Sequence, residues 1–210
     1  MELSHELYAK GFFEFRKRCN SLQQYLKYSK SLLGNKHFNN VLTIGGGNGC
    51  FDTQLSNSFT FENYHVIEPN LSHITTFKER INNSVKYKFY NKDFLQWFDN
   101  KQLDVKFDLI IASHCIYYFS NKEEFLNKCK SLLNKNGIIL IIVMHNESFN
   151  QIIEKFGNVH SLTTKYDQKD LKKLLDINNF KYDVKDVDGE IDLDGQIDPT
   201  MFYFMLDKLC

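Results

Sequence analysis

Short runs of consecutive apolar residues recur along this chain, separated by segments in which apolar residues repeat at helical spacing. A run that is apolar at every position is typical of a strand buried on both faces of a sheet. The runs that predict strands are 41–44, 64–67, 87–90, 107–112 and 138–144, and the alternating segment 180–187 predicts a sixth strand. The segments that predict helices between or after them are 51–55, 71–81, 122–133 and 167–175.

Strands that alternate with helices indicate an α/β fold with a mainly parallel sheet and helices on both faces. Apolar residues at helical spacing in 7–33 predict one or two amphipathic helices before the first strand. The chain has no linker-like or repeated segment, so we expect a single domain over 1–210. Within it, 1–36 is expected to form a helical cover, and 37–210 the α/β core with an acidic loop and helix at its C-terminal end.

Charge and cysteine content narrow the class of protein. The chain has 26 basic and 26 acidic residues, so it lacks the basic excess typical of a nucleic-acid-binding protein. Five cysteines without a CxxC pair argue against a disulfide framework and a structural zinc site. Because no apolar run reaches membrane-spanning length and 1–10 is polar, we expect a cytoplasmic protein that binds neither membrane nor metal. Nothing in the sequence indicates an oligomeric state.

A glycine-rich turn follows the first predicted strand and precedes a helix. It contains Gly45, Gly47 and Gly49, and glycine permits both a tight turn and the close approach of a ligand to the backbone. Glu68 ends the next strand, 19 residues after Gly49, where a carboxylate can accept hydrogen bonds from ribose hydroxyls. Together these features predict a site for an adenosine-containing cofactor, and the alternative is a capping loop with a surface glutamate.

The spacing of the glycines favours S-adenosylmethionine among such cofactors. The turn reads GxGxG, whereas a pyrophosphate is better held by the longer GxGxxG turn, and S-adenosylmethionine has no phosphates. Asp93 follows the third strand and can accept a hydrogen bond from the adenine amino group, although it can equally cap the next helix. After the fourth strand, 113–118 places polar side chains where cofactor and acceptor would meet.

Several motifs resemble those of histamine N-methyltransferase, within the class I methyltransferases. The matching stretches, spread over about 15–209, are Ile44-Gly-Gly-Gly-Asn-Gly49 followed by Asp52, Val66-Ile-Glu-Pro69, Ile116-Tyr-Tyr118, Ser131-Leu-Leu133 and Leu140-Ile-Ile-Val143. The resemblance implies a Rossmann-like fold and methyl transfer from S-adenosylmethionine to a small-molecule acceptor. It implies that Gly45, Glu68, His73 and Ser113 line the cofactor site and that the backbone of Phe94 and Leu95 lies near the adenine.

The same resemblance implies an acceptor site. Its residues would be Phe15, Gln24, His114, Tyr117 and Tyr118. Aromatic walls would desolvate an amine and lower its pKa, which leaves the nitrogen with a free lone pair. Either His114 or water could then take the proton that the product releases.

Three departures separate this chain from that family. Gln24 stands where the family has an acceptor-binding glutamate, Phe149 and Ile153 replace a tryptophan-bearing segment, and the family continues beyond Cys210 with a final strand. We therefore expect a missing final strand, and a small amine or imidazole compound other than histamine as the acceptor. Two other functions stay open: a catalytically degenerate module that only binds S-adenosylmethionine, and a nicotinamide-dependent oxidoreductase.

The acidic segment 190–195 imitates an EF-hand loop but lacks the bidentate glutamate at the twelfth position, where Met201 stands. We interpret it as a solvated acidic loop rather than a calcium site.

Overall fold

The computed structural model describes residues 5–81, 86–100, 105–143, 168–192, 194–196 and 198. The chain divides into two compact units. One, the sheet unit, comprises 26–143, and the other, the terminal unit, combines 1–25 with 144–210.

A five-stranded parallel sheet forms the centre of the sheet unit. Its strands are β1 (His37–Ile44), β2 (Thr60–Ile67), β3 (Tyr87–Tyr90), β4 (Phe107–Ser113) and β5 (Leu133–Ile142). Their order is β3-β2-β1-β4-β5, and every neighbouring pair is parallel. The strand order reverses between β1 and β4, and ligands of such sheets bind at the carboxyl ends of the strands near this reversal. The predicted Rossmann-like α/β fold is confirmed.

Seven helices are described, and several begin at an asparagine or aspartate that caps them. The helices are α1 (His5–Arg18), α2 (Ser21–Leu33), α3 (Cys50–Leu55), α4 (Leu71–Arg80), α5 (Phe94–Asp99), α6 (Lys122–Leu132) and α7 (Gln168–Ile177). Asn70, Asp93 and Asn121 accept hydrogen bonds from backbone N–H groups in the first turns of α4, α5 and α6. Such caps satisfy donors that have no partner within the helix. No described helix is long and apolar enough to cross a membrane.

The core of the sheet unit is apolar along the central strands and aromatic beneath α5. Leu109, Ile110 and Ile111 of β4 are completely buried, as expected for a central parallel strand. Phe94 and Trp97 of α5 are also buried and belong to a cluster of aromatic rings in edge, tilted and stacked contacts. The α5 helix is therefore held against the sheet immediately after the end of β3.

In the terminal unit, the end of α1 is tied to the acidic loop. The Arg18 guanidinium donates hydrogen bonds to the main-chain oxygens of Asp192, Asp194 and Gln196, at 3.3, 2.9 and 2.8 Å. The positively charged side chain of Arg18 therefore hydrogen-bonds to backbone carbonyl oxygens of the loop whose sequence resembles an EF-hand. Among the described residues, no group of three or more His, Cys, Asp or Glu side chains could hold a metal ion.

Three sequence predictions about secondary structure differ from the structure. The predicted strand over 180–187 is wrong: the backbone there is irregular and 181–186 is exposed, so its alternation has no buried face to match. Helix α5 was indicated only by the possible cap at Asp93, and no helical segment was predicted over 94–99. Strand β5 begins at Leu133 rather than at residue 138, and its register with β4 shifts before pairing resumes at Ile138.

Candidate active site

The glycine turn connects β1 to α3 at the carboxyl edge of the sheet. Gly45, Gly47 and Gly49 have φ angles of +66°, +53° and +73°, in the left-handed region that favours glycine. The N–H of Gly45 donates to the carbonyl of Ile67 at 2.8 Å, which fixes the start of the turn to the end of β2. The backbone conformation thus explains why the chain places glycine at alternate positions here.

The two outer glycines are packed from behind, whereas the middle one is open. A Cβ atom added to Gly45 would lie 2.8 Å from the Cβ of Cys115, and one added to Gly49 would lie 2.4 Å from the ring of Phe77. A Cβ added to Gly47 would meet no atom within 4 Å. The turn is therefore held firmly at both ends and leaves the Gly47 backbone accessible to a ligand.

Glu68, at the end of β2, is joined directly to this open position. Its Oε2 accepts the Gly47 N–H at 2.8 Å, and its Oε1 accepts the Asn70 N–H at 2.9 Å. His73 Nδ1 lies 3.6 Å from the same Oε1. An ionised carboxylate has about four acceptor positions, so these contacts orient Glu68 and leave capacity for ligand hydroxyls. Three residues predicted for one site, Gly47, Glu68 and His73, are thus brought together.

The end of β3 leads into α5, where three more predicted residues lie. Asp93 caps this helix by accepting the Gln96 N–H at 2.8 Å, so the capping interpretation is confirmed. Phe94 is buried and Leu95 is partly buried. A cap uses one carboxylate oxygen, so a contact of Asp93 with adenine stays a prediction.

The end of β4 carries an unusual backbone conformation. Ser113 is the last residue of β4, and His114 follows with φ of +53° while its N–H donates to the Ile142 carbonyl at 2.9 Å. A non-glycine residue in this region is uncommon, and such strain concentrates at functional sites. Tyr117 and Tyr118 lie in the following 3₁₀ turn, where Tyr118 is 62% exposed.

The other two predicted acceptor residues belong to the terminal unit. Phe15 lies on α1 and Gln24 on the first half of α2, and both are partly exposed. Their role toward the acceptor stays a prediction.

One feature of the site was missed by sequence reasoning. Asp52, in the first turn of α3, is only 3% exposed, and its Oδ1 accepts the hydroxyl of the buried Tyr64 at 2.7 Å. Burial raises the pKa of Asp52 to about 6, although hydrogen bonds from Tyr64 and Thr43 oppose this. An aspartate in a first helical turn is ordinarily an exposed partner of the helix dipole, so nothing in the sequence indicated this burial.

The sheet unit contains a stretch that matches a known protein family. Residues 42–139, from β1 into β5, match the family model described as a methyltransferase domain. This stretch contains the glycine turn, Glu68 and the end of β4.

Three curated relatives are methyltransferases with different acceptors in their names. Malonyl-[acyl-carrier protein] O-methyltransferase 1 of Ilyobacter polytropus is 23% identical over 75% of this chain and 58% of its own length. Histamine N-methyltransferase of Danio rerio is 25% identical over 56% of this chain and 45% of its own. Carnosine N-methyltransferase 2 of Gallus gallus is 28% identical over 70% of this chain and 52% of its own. The chain spans about half the length of these relatives.

A solved structure shows the same fold. The plantazolicin methyltransferase BpumL, in complex with a pentazolic desmethylPZN analog and SAH, superposes with a TM-score of 0.59 over 81% of this chain and 68% of its own. The two sequences are 16% identical, so the likeness concerns the fold.

Proposed function

We propose that this chain uses S-adenosylmethionine to methylate a nitrogen of a small amine or imidazole compound, in line with the match of residues 42–139 to the methyltransferase-domain family model. The observation that carries the proposal is the meeting of Glu68 with the open backbone of Gly47, at 2.8 Å, on the carboxyl edge of the sheet. The strained His114 follows β4, at the same edge of the sheet.

The described residues fit this cofactor. An open left-handed Gly47 allows the ribose and the sulfonium chain of the cofactor to lie on the backbone, and Glu68 offers spare acceptor positions for the ribose hydroxyls. His73 borders that carboxylate, and Asp93, Phe94 and Leu95, at the start of α5, are the residues proposed to contact the adenine. Gly45, Gly49 and Ser113 complete the proposed cofactor site.

When bound, the cofactor supplies a methyl group already activated by its sulfonium charge. The chain then needs mainly to orient the acceptor nitrogen and to keep water away. In the sheet unit, Tyr117 and Tyr118 supply aromatic side chains suited to desolvating an amine. Phe15 and Gln24 belong to the terminal unit, and their contribution to binding the acceptor stays a prediction. His114 is the group proposed to take the proton.

The names of two relatives support a nitrogen acceptor, because one acts on histamine and another on carnosine. A third relative is an O-methyltransferase, so oxygen acceptors belong in any test. Gln24 lacks the charge of a glutamate, and the Coulomb attraction for a cationic acceptor is lost. Histamine is therefore expected to be a poorer acceptor than related neutral amines or imidazoles.

The decisive experiment is steady-state methylation of a panel that contains histamine, other small amines, imidazoles and carboxylates. We expect turnover of an amine or imidazole, with histamine far from the tight end of the usual range of Michaelis constants, ~1 μM to 1 mM. Efficient turnover of carboxylates alone would overturn the nitrogen assignment. Cofactor binding without turnover of any compound would favour a binding module, and binding of NAD instead would favour an oxidoreductase.

Replacing Glu68 by alanine is expected to weaken cofactor binding roughly ten- to hundredfold, because hydrogen bonds to charged groups contribute about 1.5–3 kcal/mol. Glutamine is the matched variant, since its single carbonyl oxygen can replace only part of the contacts that the two carboxylate oxygens make. We expect the glutamine variant to lie between alanine and wild type in calorimetric titrations. An unchanged dissociation constant in a folded alanine variant would remove Glu68 from the site.

Replacing His114 by asparagine is expected to lower kcat about 10²- to 10⁴-fold, the usual contribution of a general base. Asparagine is chosen because it tolerates the positive φ of this position and cannot act as a base. The cofactor dissociation constant is the control and should change less than about twofold. A kcat within a few fold of wild type would mean that water takes the proton.

A further inference from the structure

A buried carboxylate lies behind the glycine turn. Asp52 is 3% exposed and is held by hydroxyl donors, with the Tyr64 Oη at 2.7 Å and a further hydrogen bond from Thr43. No lysine or arginine among the described residues forms an ion pair with it. A buried charge without a cation is costly, and its field is weakly screened by solvent.

A second carboxylate belongs to the same region. Glu68 is 6% exposed, and its charge is one of the influences that raise the pKa of Asp52, after burial. Its ionic neighbour is His73, at 3.6 Å. Because the pKa of Asp52 is about 6, its carboxyl group is mainly ionised at neutral pH. The two carboxylates therefore give the region around the open Gly47 a negative electrostatic potential.

We propose that Asp52 is a specificity-determining residue, whose buried carboxylate makes the cofactor site prefer the sulfonium form of the cofactor to its thioether product. The inference rests on the proposed cofactor and deepens that assignment. The two ligands share the adenosine and amino-acid parts and differ by one methyl group and one positive charge. A negative charge held behind the turn acts on this difference without touching the ligand.

The enzyme would therefore discriminate between the cofactor, which must bind, and its demethylated product, which must leave. Hydrogen bonds from the ribose to Glu68 and to the backbone do not by themselves distinguish the two forms of the cofactor, because both forms contain the ribose. The product has lost the positive charge and so does not gain the extra attraction that the field of Asp52 gives to the cofactor. The Asp52 carboxylate would thereby favour the exchange of bound product for a new cofactor molecule.

The test is calorimetric binding of S-adenosylmethionine and S-adenosylhomocysteine to wild type, Asp52→Asn and Tyr64→Phe. Asparagine keeps the shape and the acceptor for the Tyr64 hydroxyl but removes the charge. We expect Asp52→Asn to weaken S-adenosylmethionine binding by roughly five- to tenfold and to change S-adenosylhomocysteine binding less than about twofold. Tyr64→Phe removes the 2.7 Å hydrogen bond that helps to keep the pKa of Asp52 low, so both variants are titrated well above pH 6, where the carboxylate stays ionised. Under those conditions the ratio of the two affinities in Tyr64→Phe should stay as in wild type.

Equal weakening of both ligands by Asp52→Asn, or the same change of ratio in Tyr64→Phe, would show a purely structural role and overturn the inference. A pH series on the wild-type protein gives a second readout that does not depend on a variant folding. The affinity ratio should shrink as Asp52 is protonated below about pH 6. The polar and charged groups that face Asp52 are Tyr64 on β2, Tyr87 on β3 and Glu68 just after β2, and Glu68 in turn contacts His73 on α4.

The Asp52→Asn protein separates those contributions, because its affinity ratio should be less dependent on pH than that of wild type. Equal pH dependence in the two proteins would count against Asp52. Failure of the proposed acceptor assignment would leave these binding ratios unaffected. A wild-type protein that binds neither ligand would overturn the cofactor assignment and this inference with it.

Discussion

Replacing Gly49 by alanine is expected to destabilise the sheet unit by about 2–5 kcal/mol. The new Cβ would lie 2.4 Å from the ring of Phe77, which is itself completely buried and packed edge-on against the rings of Tyr87 and Phe89. Overpacking of this kind costs about 1–3 kcal/mol, and the left-handed φ of +73° adds roughly 1–2 kcal/mol for a residue with a Cβ. Both effects act at the first turn of α3.

Gly47→Ala is the matched control, since it shares the left-handed backbone but meets no atom within 4 Å. It should cost only about 1–2 kcal/mol of stability, and the added methyl group should weaken cofactor binding at the open position. Urea unfolding can be followed by the fluorescence of Trp97, the single tryptophan of the chain, which is buried in the sheet unit. Equal destabilisation by the two substitutions would contradict the packing of Phe77 behind the turn.

Two buried groups of the sheet unit, His65 and Asp52, are expected to give its stability opposite pH dependences. Burial, and to a smaller extent the charge of Lys88, lowers the pKa of His65 from 6.5 to about 4. The buried Nε2 of His65 has no hydrogen-bond partner among the described residues. Between those values the unfolded chain binds a proton that the native state does not. The free energy of unfolding contributed by His65 therefore rises with pH, by about 1.4 kcal/mol per unit.

Asp52 has the opposite sign. Burial raises its pKa from 3.8 to about 6, so between those values the native state binds a proton that the unfolded chain does not. The contribution of Asp52 falls as pH rises, again by about 1.4 kcal/mol per unit. Over the shared window of about pH 4 to 6 the two contributions offset each other in the wild-type protein.

Removing either group should reveal the pH dependence of stability that the other group contributes. Relative to wild type, His65→Leu should lose about 2–3 kcal/mol of stability as pH rises from about 4 to 6, and Asp52→Asn should gain a similar amount. Loss of the hydrogen bond between His65 Nδ1 and the Tyr90 hydroxyl, 3.0 Å, shifts the His65→Leu profile as a whole and does not change its slope. The measurement is urea unfolding across this window, followed by Trp97. Profiles that run parallel to wild type would show that neither group changes its proton affinity on folding.

The strands and the main ligand-binding motif could be predicted from local sequence. A strand such as β4, buried on both faces, must be apolar at nearly every position, and a backbone in the left-handed region selects glycine at Gly45, Gly47 and Gly49. The place of Glu68 at the end of β2 followed from the same local rules, as did the alternation of strands and helices that indicates a parallel sheet. These features are determined by residues that are close to one another in the sequence.

The remaining features of the fold and of the site depend on contacts between residues that are distant in the sequence. The failed strand over 180–187 has the right alternation, but a strand exists only if a partner and a buried face are present. Which glycine of the turn is open depends on Cys115 behind Gly45 and Phe77 behind Gly49, and the charge behind the turn depends on Tyr64 covering Asp52. Sequence periodicity reports the preference of each segment for a helix or a strand, whereas burial and pKa depend on which segments pack together, and that is determined by the tertiary structure.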